Sequence, residues 1–303
     1  MTTKRRIVDA HHHLWDLDAC HYPWLMEKGV VRFFGDPAPI QRNYLPDELR
    51  SDATNYELVG SVHIQVGVAD GDEVKESQWL HASAMEHGLP DAIVAFCDLS
   101  ADNASSVLAQ QAAIDGVRGI RQIVGRSAEE DSQSGSGGLL DDAQWVRNLA
   151  LLREMDLSFD LQLIPQQMNK ITEILRNLPG LRVALCHCGS PWDQSSAGLA
   201  SWREGLSRLA ELPDVHCKIS GLSMFNHNWT IGDVHPIIEA CIEEFEPERC
   251  MFGSNFPVDK LHKTYDDIWQ SYEEIASQYS LAEQHQLFSG TAESFYRLSE
   301  SKD

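Results

Sequence analysis

The chain lacks the features that several functional classes require. Basic residues are scarce: 24 Lys and Arg stand against 46 Asp and Glu, a formal charge of −22. That balance repels phosphate backbones and anionic headgroups, so neither nucleic acid nor a membrane surface is expected as a partner. No run approaches the ~18 consecutive apolar residues that a membrane span needs. The first residues, MTTKRRIVDAHHH, contain no apolar signal core, so a cytoplasmic location is expected. Seven cysteines, an odd number, sit mostly inside apolar runs and show no paired metal-binding spacing, which reads as reduced thiols rather than a disulfide framework. No Gly-rich phosphate turn follows the first apolar run, which disfavours a dinucleotide-binding open sheet.

What is present is a rhythm. Short β-branched or apolar runs alternate with amphipathic stretches, and eight runs can be quoted in order: RIVDAHHH, LVGSVHIQV, AIVAFCDL, GVRGIRQI, LSFDLQLI, LRVALCHC, VHCKISGL and RCMFGSNF. Between them lie helix-like segments such as VKESQWLHASAMEHG, DDAQWVRNLALLREM and DVHPIIEACIEEF, with apolar residues three and four apart. Eight strands alternating with helices predict an α/β fold, a (β/α)8 TIM barrel, as one domain over residues 1–303. An aromatic and Pro-rich segment, 16–57, is expected to cover the barrel mouth, and the Gly/Ser-rich stretch 131–140 to form a mobile loop.

In such barrels the active site lies at the carboxyl ends of the strands. Side chains alternate along a strand, so His11 and His13 share a face and His12 turns away. The other strand ends carry polar groups inside apolar surroundings: Arg118, Arg121 and Gln122, Asp160 and Gln162, His187, Lys218 and Ser220, then Asn255 and Asp259. Converging imidazoles could hold a divalent ion or polarise a carbonyl without one, and nearby arginines would fix an anionic group.

The motifs IVDAHHHLWD, GVRGIRQ, LCHCGSP, CKISGL and MFGSNFPVDK, in that order, resemble the amidohydrolase-related metal-dependent hydrolases, especially their lactonase branch. The likeness runs from the first strand to the closing FSGTAESFYRLS. It implies that His11, His13 and His187 bind a divalent metal (Zn or Mn) or the substrate carbonyl. It also implies that a strand-eight aspartate deprotonates water, but here Asn255 occupies that position, and a neutral amide takes no proton at pH 7. Asp259, Asp160, Glu76 or a histidine is then left as the base, and the metal becomes optional. The expectation is a hydrolase that opens a small carboxylate-bearing or sugar-acid lactone. Arg118, Arg121, Gln122, Gln162, Lys218 and Glu76 would bind the acidic substrate, with Asn255 and Asp259 beside the histidines. A metal-dependent carboxy-lyase and a catalytically weakened binding protein are the alternatives, and assembly into a homo-oligomer is left open.

Overall fold

The computed structural model describes residues 4–127, 130–131 and 136–298. Each of the eight quoted runs overlaps a strand: β1 (Arg6–His12), β2 (Glu57–Ile64), β3 (Ala92–Ala95), β4 (Val117–Ile120), β5 (Ser158–Leu161), β6 (Val183–Leu185), β7 (Val215–Ile219) and β8 (Cys250–Phe252). All neighbouring pairs are parallel and lie in sequence order, the order of a barrel rather than a doubly wound sheet. The ring closes just beyond β8, where Asn255 N donates to His11 O at 2.7 Å and His13 N to Phe256 O at 2.7 Å. Gly253 permits this closure, because a Cβ there would lie 2.7 Å from the His11 backbone nitrogen.

Helices follow the strands on the outside, among them Glu73–His87, Ala143–Glu154, Met168–Arg176, Ser196–Ala210 and Ile231–Phe245. Their starts are chemically marked: Asp142 accepts hydrogen bonds from Gln144 N and Trp145 N, and Ser195 from Gly198 N. Two cores result. The larger lies between strands and helices, with Leu80, Leu149, Trp145 and Phe245 fully buried. The smaller fills the barrel with compact side chains, Val8, Ala10, Val62, Ile64, Ala92, Val94 and Ala184, and is plugged by Phe295 and Tyr296. Compact residues are needed because eight inward faces share one narrow axis.

The segment 16–57 contains two short helices, Pro23–Met26 and Pro46–Asp52, and is pinned by paired backbone hydrogen bonds between Trp15 and Tyr44, both 3.0 Å. Of the Gly/Ser-rich stretch, residues 132–135 lie outside the described residues. Among the described residues no helix is long and apolar enough to cross a membrane, and all seven cysteines are buried and unpaired.

Candidate active site

The histidine pair depends on an irregularity in β1. Val8 and Ala10 point into the barrel with the interior cluster, and unbroken alternation would send His12 after them. The β1–β2 ladder instead shifts between Asp9 and His12, where three steps on β1 match two on β2. The extra residue turns His11 inward and places His12 beside His63, ring centroids 6.1 Å apart. His11 then lies 5.3 Å from the His13 ring and 4.4 Å from that of His187.

His187 follows β6 in a left-handed conformation, φ +54°, and its Nδ1 lies 2.9 Å from the Ser220 hydroxyl. With the hydrogen assigned to Nδ1 and donated to that hydroxyl, Nε2 is left bare. Gly221, at φ +67°, lies against this ring, where a Cβ would overlap Nδ1. Asn255 is also left-handed, at φ +56°. Its Nδ2 donates to Asp259 Oδ1 at 2.7 Å, and its Oδ1 lies 3.3 Å from His13 Nε2. His13 Nδ1 is 2.7 Å from the Ile64 carbonyl.

Above these groups opens a cavity of about 270 Å³, walled by His13, His187, Asn255, Arg121, Gln162 and Arg126, and by Trp24, Phe33, Phe34, Ile123, Met224 and Val258. Arg121 is fixed: Nη1 donates to Gln162 Oε1 at 3.0 Å and Nη2 to Gln65 O at 2.5 Å. Arg126 is held by its backbone, whose nitrogen donates to both Asp131 carboxylate oxygens at 2.9 and 3.0 Å and whose carbonyl accepts from Trp192 Nε1 at 2.9 Å. Its guanidinium makes no hydrogen bond among the described residues. Arg32, from the covering segment, is tied to Glu130 through two hydrogen bonds of 3.1 and 2.8 Å.

Burial and the surrounding positive charge set the electrostatics. Burial and Arg121 push His13 down to about 3, and burial, then Arg121 and His13, hold His187 well below the usual imidazole range. All three site imidazoles are therefore neutral near pH 7, since His11 is lowered by burial and by His187 and Lys218. Burial raises Asp259 to about 7 against the opposing hydrogen bonds from Asn255 and Ser223.

The structure gathers His13, His187, Arg121, Gln162 and Asn255 around the cavity, with His11 and Asp259 directly behind. Other expected site residues point elsewhere. Arg118 sits low on β4, half-buried, and donates to the Val117 carbonyl. Gln122 faces the outer helices, accepting from Leu99 N and Trp145 Nε1 and donating to Asp98. Lys218 is wholly buried inside the barrel, 2.5 Å from Asp160, which also accepts from the Tyr296 hydroxyl. Glu76 is buried outside the cavity wall and accepts from Val66 N. Asp160 and Glu76 are thus unavailable to a water in the cavity. Arg126 and the aromatic wall of Trp24, Phe33 and Phe34 were not among the expected residues.

A divalent ion would fall to His11, His13 and His187. His11 has two ring nitrogens without hydrogen-bond partners and His187 Nε2 is free, but no carboxylate adjoins the three rings and the Arg121 charge stands nearby. Among the described residues no group of three or more His, Cys, Asp or Glu could hold a metal ion. The Arg121 charge opposes a divalent ion among these three imidazoles, and the side chains themselves supply a base and hydrogen-bond donors.

Comparison with known proteins agrees with this architecture. The chain is 36% identical to protein y4mH of Sinorhizobium fredii, over 96% of this chain and 98% of that one. It is 29% identical to an L-fucono-1,5-lactonase of Burkholderia multivorans, over 98% of this chain and 97% of the relative. A crystal structure of a B. multivorans amidohydrolase with bound zinc superposes with a TM-score of 0.80 at 27% identity, covering 98% of this chain and 100% of that one. The amidohydrolase family model matches residues 8–298, and the chain belongs to that family of hydrolases.

Proposed function

We propose that the protein opens the ring ester of a small lactone that carries a carboxylate. The observation that carries this reading is one cavity holding both a bare imidazole nitrogen, His187 Nε2, and an uncommitted guanidinium, Arg126. A guanidinium presents two parallel donors to a carboxylate, and the B. multivorans lactonase relative supports ring-ester hydrolysis as the reaction.

Each step uses a group already in place. Arg126 binds the substrate carboxylate and aims the lactone carbonyl toward Arg121 and the Gln162 amide. A water beside His187 gives its proton to Nε2 while its oxygen bonds to the carbonyl carbon, and the carbonyl π pair moves onto oxygen. The fixed charge of Arg121 stabilises that oxyanion without reorganising, because Gln65 and Gln162 already hold it. When the intermediate collapses, the ring C–O bond breaks and His187 returns the proton to the leaving alkoxide, giving a hydroxy acid. Asn255 and Asp259 brace the wall opposite.

The substrate carboxylate also offsets the positive charge that suppresses His187, so binding an anion makes Nε2 a better base at the moment it is needed. The test is ring opening of carboxylated lactones, followed by acid release, against the same lactones as neutral amides. Faster opening of the acids supports the reading. Equal rates contradict it.

A further inference from the structure

The cavity wall offers a ligand many hydrogen-bond donors but few side-chain acceptors. Trp15 Nε1 donates to Arg42 O at 2.6 Å and Trp24 Nε1 to Val66 O at 2.8 Å. Arg32 holds Glu130, Arg121 keeps N–H donors beyond its bonds to Gln162 and Gln65, and one Asn255 amide hydrogen goes to Asp259. The uncommitted side-chain groups of the wall among the described residues are thus mostly donors, on Arg126, Arg121 and Gln162, with His187 Nε2 as an acceptor. The carboxylate and the reacting ester take up Arg126 and His187.

A sugar lactone carries a hydroxyl on nearly every ring carbon. Each hydroxyl hydrogen buried without an acceptor weakens binding by roughly ten- to a hundred-fold, and this wall has too few acceptors for several at once. The remainder of the wall is apolar and largely aromatic. Phe33 packs edge-on against Phe34 and Trp192 at centroid distances of 5.2 and 5.1 Å, and Trp24 meets Phe34 at 5.9 Å. These rings form a braced surface that suits a flat or aliphatic group. The volume, about 270 Å³, falls below the ~300–1,000 Å³ typical of drug-sized ligands, so the molecule is small.

We propose that the substrate is a lactone with one carboxylate and one apolar arm that packs on Trp24, Phe33 and Phe34, and that polyhydroxylated sugar lactones are poor substrates. This inference rests on the lactonase reading, but its test does not need turnover. Lactams resist hydrolysis while keeping the ring shape, so calorimetric binding of three probes decides it: a δ-lactam carboxylic acid, the same acid bearing a phenyl group, and a polyhydroxylated sugar lactam. The phenyl acid is expected to bind at least ten-fold tighter than the plain acid, with the sugar lactam weakest. Trp24→Ala and the milder Phe33→Leu are each expected to narrow the gap between the two acids.

A sugar lactam that binds as tightly as the phenyl acid overturns the inference, as does a ranking unaffected by both variants or the absence of binding by all three. The wild-type ranking stands alone if a variant fails to fold. Binding in the predicted order without opening of the matching lactones would sink the lactonase reading and leave the ligand class intact.

Discussion

The His187 imidazole occupies the space where a Cβ on Gly221 would lie, and the glycine, at φ +67°, leaves that face free of any side chain. The loop after β7 thereby fixes a ring carried by the turn after β6. Gly221→Ala is expected to lower kcat by about 100-fold or more through displacement of that ring, with a stability loss of about 1–2 kcal/mol for an alanine in the left-handed region. Steady-state kinetics together with a thermal melt separate the two effects. A variant with normal kcat would show that the ring position does not matter.

Arg126→Leu removes the only guanidinium of the cavity wall that is free of hydrogen bonds among the described residues. The loss of a charge-assisted contact, about 1.5–3 kcal/mol, predicts a ten- to hundred-fold fall in kcat/KM for a carboxylated lactone. For the corresponding neutral amide the change should be small. Parallel kinetics on the two compounds check this, and equal losses would show that Arg126 does not bind the carboxylate.

Asp259 links stability to pH. Its carboxyl is raised in the folded protein to about 7, above the ordinary 3.8, so the folded state holds a proton that the unfolded chain releases. The associated stability is full below pH ~4 and is lost as pH rises through ~7. Asp259→Asn removes that loss. Relative to the parent, the variant should melt similarly at pH 4 and gain on the order of 2–4 kcal/mol by pH 8. Melts across that range decide it, and a difference that does not vary with pH would contradict the burial of an ionisable carboxyl.

No carboxylate adjoins His11, His13 and His187, and the Arg121 charge opposes a divalent ion among them. Protein dialysed against a strong chelator should therefore keep its lactone turnover, and added zinc or manganese should change it less than about two-fold. A rate that collapses on chelation and returns with metal would show that these imidazoles rearrange to bind one.

Much of the architecture was legible because it repeats. Eight apolar runs with polar ends imply eight strands, and the residue just past a strand end, such as Arg121, Gln162 or His187, is where a barrel mouth places it. Residues one step out of that position were harder to read. Gln122 follows Arg121 by one residue and Arg118 precedes it by three, odd offsets at and beyond a strand only four residues long, so an error in facing moves a side chain from mouth to exterior. Lys218 does point inward, but one layer too deep, where Asp160 neutralises it.

The convergence of His11 and His13 with His187 also hides a local event, the bulge in β1, that no alternation pattern reveals. Arg126 and the aromatic wall come from loops, whose paths are set by tertiary anchors such as Trp192 on the Arg126 carbonyl and Glu130 on Arg32. One signal was available: Arg126 is a second arginine beyond Arg121, in the segment leaving strand four. Asn255 was visible as a departure from the family pattern, but its bond to Asp259 required the fold.

The most direct measurement is proton release by purified protein on a panel of carboxylated lactones, run beside His187→Gln. Ring opening should yield one acid equivalent per lactone consumed. Because His187 is held well below the usual imidazole range, kcat/KM should stay level as pH falls past 6.5, and His187→Gln should lose about 10²–10⁴ in kcat. Full activity in His187→Gln, or carbon dioxide release in place of ring opening, would contradict the account.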